Sequence, residues 1–100
     1  MHRFHHWRLQ IEDARDERDI DRVIQNYLDT LTPAMLDSLP ADCREALRAK
    51  NIPDAALRCL QAEMRCKDTP ELTALLHEVA HTYAAAAVKL QGWRPPSRSS

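Results

Sequence analysis

The chain has 100 residues, a formal charge of −1 from 14 basic and 15 acidic side chains, 44% hydrophobic residues, 5% aromatic residues and one glycine. That balance excludes a general electrostatic pull toward nucleic acid or anionic lipid. No run approaches the roughly 20 apolar residues needed to cross a bilayer, and one glycine speaks against hairpin-rich β folds, whose tight turns need positive φ.

The opening stretch MHRFHHWRLQ has no continuous apolar run of the secretory-signal kind. With His2, His5 and His6 in so short a segment, residues 1–10 are expected to form a flexible N-terminal segment. From about Glu12 the sequence reads as helix, with Ile20, Val23, Ile24, Tyr27, Leu28 and Leu31 recurring every three or four residues along one stripe. Mixed charges surround its first half, which is expected to rest on exposed pairs such as Arg15 with Asp19 and to fray.

Thr32-Pro33 supplies an N-cap and a proline at the first helical position, starting a short helix that Pro40 stops. The next helix is expected over about Ala41 to Lys50, with Cys43, Ala46 and Leu47 inward and Asn51 left-handed after it. Pro53 opens a further helix, ending near Arg65, that has two apolar faces. At about 100° per residue Leu57, Leu60 and Met64 share one, and Ala55, Cys59, Ala62 and Cys66 lie opposite. Such a helix is expected to be sandwiched within the domain, the alternative being that its second, smaller face meets a partner. Asp68 or Thr69 caps the last helix and Gly92 closes it, leaving residues 92–100 as a disordered tail.

The expected architecture is therefore all-α: a small bundle of four main helices plus one short helix, forming a single domain over residues 11–91. Three irregularly spaced cysteines suit reduced thiols, and with them a cytoplasmic protein. Trp7 and Trp93 either cover the ends of the bundle or, with neighbouring arginines, form short segments for a partner to read.

His77-Glu78-Val79-Ala80-His81 reads HEVAH, and these five residues resemble the HExxH pattern of zinc metalloproteases. The resemblance implies two zinc-binding imidazoles and a glutamate that activates water. Those families add a third ligand downstream, whereas no His, Asp, Glu or Cys follows His81. With Leu72 as origin, the core stripe of this helix lies within about 60°, and His77 and His81 fall at about 140° and 180°, away from it. No catalytic residue, metal or cofactor is therefore expected. A zinc-binding protein or minimal metallohydrolase built on residues 77–81 is the alternative, and Cys59 and Cys66 with the two histidines would form a loosely spaced structural zinc set.

Residues 44–60 resemble a helix-turn-helix unit, a second alternative. Its second helix begins with Asp54, Ala55 and Ala56 where a DNA reader needs Arg, Lys, Asn or Gln, so nucleic acid is not the expected partner. Ala74, His77, His81, Ala84, Ala85 and Val88 instead form a shallow, uncharged second face on the last helix. It is expected to contact a second copy of the chain, another protein or the acidic first helix. The expected function is a non-enzymatic interaction or regulatory module, a homodimer through this helix, with no membrane partner.

Overall fold

A computed structural model describes residues 3–65 and 69–93, and the side chains of residues 6–65 and 69–92. The fold is all-α, with no strand among the described residues: α1 Arg3–Asp13, α2 Glu17–Asp29, α3 Pro33–Ser38, α4 Ala41–Ala49, α5 Ile52–Arg65 and α6 Pro70–Trp93. The short helix is α3. The other five exceed the expected four because the N-terminal segment is itself helical.

That segment corrects the expectation of a flexible residue 1–10 stretch wherever it is described. Trp7 and Ile11 are one turn apart and, with Ala14, bury one face of α1. The Trp7 ring meets Tyr27 edge to face at a centroid distance of 5.5 Å. Lys89 Nζ donates to the Glu12 carbonyl at 2.6 Å, tying the end of α1 to α6. On the outer side Arg8 and Glu12 pair at 3.1 Å.

Nor is the charged stretch from Glu12 onward one frayed helix. Asp16 caps α2 by accepting the Asp19 N–H at 3.0 Å, and the Asp19 carboxylate accepts the Arg15 N–H at 2.9 Å. Two carboxylates taking main-chain donors turn the chain between α1 and α2. Asp19 thus meets the backbone of Arg15, in place of the expected side-chain pair.

The expected cap of α3 is present: Thr32 Oγ1 accepts the Met35 N–H at 3.1 Å, with Pro33 following. After α4, the left-handed residue is Lys50 (φ 60°), one position before the expected Asn51. Asn51 is instead drawn into α5 as its N-cap, its Oδ1 accepting the Asp54 N–H at 3.1 Å. Of the two candidate caps for α6, Thr69 takes the Leu72 N–H at 3.2 Å, while Asp68 lies outside the described residues. Gly92 does not close α6, which continues through Trp93. The disorder expected over 94–100 falls outside the described residues.

The most extensive contact joins α5 to α6. Helix α5 turns Ile52, Ala55, Ala56, Cys59 and Ala62 inward, and α6 turns in Leu76, Val79, Ala80, Tyr83 and Ala86. Small side chains let the two backbones approach closely. Helix α5 does pack between α4 and α6, but only its small face is fully buried: Leu60 is half-buried, and Leu57 and Met64 stay 56% and 76% exposed, contrary to burial of both apolar faces. Cys43 and Cys59 are both fully buried, and the Cys43 thiol approaches the Arg58 carbonyl at 3.8 Å. A hydrogen bond to Cys43 and burial push the Cys59 thiol above its ordinary range, so it packs as a small protonated hydrophobe.

Overpacking this contact is expected to be costly. Cys59→Leu should destabilise the protein by about 1–3 kcal/mol in urea denaturation, while the exposed Met64→Ala should change it by less than about 0.5 kcal/mol.

Candidate functional site

Two sets of positions fix how α5 lies on α6. Glu63 meets His77 and His81, and Ile52 and Leu90 line one depression. As the α5 number falls the α6 number rises, so the two helices run antiparallel, with Leu57 level with Ala85. On both helical wheels the outward direction from this contact is shared: Leu60, Met64 and Leu57 follow Glu63 around α5, and His77, Val88 and His81 stand beyond the contact on α6.

The histidines of HEVAH are accordingly on the outside, as their helical phase requires, and a partner from α5 stands against them. His77 Nδ1 lies 2.5 Å from Glu63 Oε2, and His81 Nε2 lies 3.4 Å from Glu63 Oε1. The two imidazoles are neighbours, with centroids 4.1 Å apart and planes tilted by 34°. One ligand atom from each of Glu63, His77 and His81 falls within a set no wider than 4.8 Å. Glu63 is 21% exposed, His81 38% and His77 57%, so the cluster opens to solvent above a half-buried carboxylate.

Sequence reasoning overlooked Glu63 because it sought the third ligand after His81, as the metalloprotease pattern directs. The available signal was the hairpin itself: a short connection from α5 to α6 returns the last turns of α5 alongside the first turns of α6. The other proposed set, Cys59 and Cys66 with the histidines, is not assembled by the described residues. Cys59 is buried against Cys43, and Cys66 lies outside them.

Glu78 is held elsewhere. Its Oε2 accepts the Tyr27 hydroxyl at 2.8 Å, on the side of α6 that faces α2. Tyr27 is fully buried between Trp7 and Tyr83, whose ring centroids stand 5.5 and 6.5 Å from its own. Thr82, also fully buried, satisfies its hydroxyl by donating to the Glu78 carbonyl at 2.7 Å.

Of the expected interface residues, Ala74, His77 and Val88 are exposed and His81, Ala84 and Ala85 half-buried. The N-terminal helix α1, not the acidic helix expected from Glu12 onward, borders part of this face. Arg8, Ile11 and Glu12 of α1 border a depression of about 380 Å³ with His81, Ala84, Ala85, Val88 and Lys89 of α6. In the helix-turn-helix-like stretch, Arg58 Nε donates to Asp54 Oδ2 at 3.0 Å. Compared with protein-family models, curated proteins and solved structures, the chain gives no match in any of the three.

Removing the hydroxyl that holds Glu78 should be measurable without disturbing the core shape. Tyr27→Phe is expected to lower stability by about 1–3 kcal/mol, because it leaves a half-buried carboxylate short of a donor; denaturant unfolding of the variant against the parent checks this.

Proposed function

We propose that this chain is a small non-enzymatic interaction module that self-associates through the side on which α5 and α6 both face outward, the occupant being a second copy. The observation that carries this reading is the exposure of Leu57 (56%), Met64 (76%) and Val88 (68%) on two neighbouring antiparallel helices. Large apolar side chains grouped on one side of a small domain favour association. Ala74, His77, His81, Ala84 and Ala85 of α6 complete the patch, and Glu63 lies at the margin of the α5–α6 contact beside the two histidines.

Size favours a second copy. At about 1.5 Å per residue, α5 and α6 are about 21 and 36 Å long, ample for the roughly 800 Å² per partner of a standard interface. A two-fold axis across the patch would set the same apolar side chains against each other, the self-complementarity that closed dimers use. Buried thiols at Cys43 and Cys59 suit a reducing compartment, and we place the protein in the cytoplasm on that ground. Among the described residues no helix is long and apolar enough to cross a membrane.

The two alternatives have less support. Hydrolysis by the HExxH route asks Glu78 to face the ion, and its carboxylate is engaged by Tyr27 on another side of the helix. DNA reading by α5 asks for free cations near its start, where Arg58 is paired with Asp54.

Sedimentation velocity between about 1 and 100 μM, a span of free energies typical of modest complexes, tests the proposal. The parent should sediment as a concentration-dependent dimer, and Met64→Glu combined with Val88→Glu should return it to monomer with its helical circular dichroism unchanged. A parent that stays monomeric throughout, or a dimer indifferent to both charges, would overturn it.

A further inference from the structure

We infer that Glu63, His77 and His81 form a binding site for a divalent transition-metal ion of zinc type, a role that self-association does not require. The donor set is two imidazoles and one carboxylate, which suits Zn²⁺ and its first-row neighbours and does not suit Ca²⁺ or Mg²⁺, which prefer oxygen alone. All three side chains come from the two most extensively packed helices, so their backbones are already in place. Binding asks only for side-chain rotation. A tetrahedral ion at about 2.0–2.2 Å from each ligand atom draws them to about 3.3 Å of one another, and they begin within 4.8 Å.

The metal-free contacts point the same way. Each carboxylate oxygen of Glu63 already faces one imidazole nitrogen, Nδ1 of His77 and Nε2 of His81. An ion entering between them takes the lone pair of each of these two nitrogens, each ring carrying its proton on the other nitrogen, together with a carboxylate oxygen, and so keeps all three partners. The spacing of four residues between His77 and His81 puts both rings on one face of a helix that is continuous from Pro70 to Trp93. A lone histidine pair of this kind is a weak chelate. Glu63, approaching from a second helix and only 21% exposed, is what makes the arrangement a three-ligand site with a fourth position open to water.

Depth also separates this cluster from ordinary surface chemistry. His77 is 57% exposed in the single chain, so an ion reaches the site before two copies associate and without any opening of the fold. The carboxylate beneath is shielded by the helices that position it, which limits competition from water for its oxygens.

The test is a zinc titration followed by competition with a chromogenic chelator, done on full-length protein in which His2, His5 and His6 are replaced by alanine to remove the other histidines. One Zn²⁺ per chain with a dissociation constant of about 10 μM or tighter is expected. Glu63→Gln and His81→Ala, introduced singly, should each weaken it by at least about tenfold. Circular dichroism of both variants should match the parent, since all three side chains reach solvent; a variant that unfolds is replaced by His77→Ala, at the most exposed ligand. Zinc should raise the Tm of the parent and not that of Glu63→Gln. No binding up to about 100 μM zinc overturns the inference, as does binding that Glu63→Gln leaves unchanged, which would mark a surface histidine pair acting alone.

Discussion

The close approach of α5 to α6 is the constraint from which the rest of the structure follows. It rests on small inward residues, Ala55, Ala56, Cys59 and Ala62 on one helix and Ala80 and Ala86 on the other. Once that face of α5 is committed, its phase leaves Leu57 and Met64 outside and Glu63 at the margin of the contact. The phase of α6 then places His77 and His81 across from Glu63. An apolar patch and a group of metal-ligating side chains thus share one side of the molecule because a single packing decision orients both helices.

A second contact keeps α6 from rotating. Tyr27, fully buried between Trp7 and Tyr83, donates to Glu78, and Lys89 reaches the end of α1. These ties act on the side of α6 away from α5 and link it to α1 and α2. Rotation of α6 toward solvent would strand the Tyr27 hydroxyl in an apolar setting, and a buried polar group without its partner is costly to the folded state. Three of the five aromatic side chains, Trp7, Tyr27 and Tyr83, meet at this junction, where the Tyr27 hydroxyl finds the Glu78 carboxylate.

Periodicity was enough to make the helical class legible, and the caps at Thr32 and Thr69 follow from side-chain chemistry that needs no tertiary partner. What escaped depends on contacts distant in sequence. The helix at α1 was hidden because its histidines and arginines dominate a composition reading, while its order comes from Trp7 meeting Tyr27 twenty residues later in the chain. Which face of α5 is buried could not be read from hydrophobicity, since the larger apolar side chains are the ones left outside. Lys50 takes the left-handed position expected of Asn51 because Asn51 caps α5 through the Asp54 N–H, and that cap outweighs the usual preference for asparagine in the left-handed region. Of the site, the two histidines and their outward phase were visible, and Glu63 was not, because it belongs to another helix.

The same reasoning explains why a five-residue pattern does not carry its chemistry with it. In HEVAH the glutamate is always about 100° around the helix from the histidine before it; whether its carboxylate turns to an ion shared by the histidines depends on what else competes for it. Here α2 supplies a buried hydroxyl at hydrogen-bonding distance, and Glu78 serves that partner. Glu63, which the pattern does not mention, faces the imidazoles instead. The helix therefore divides the two functions between neighbouring faces: one carboxylate secures the fold, and the adjacent face presents imidazoles to a carboxylate from α5. A motif of this length fixes only relative phase, and the neighbouring helices decide which groups meet.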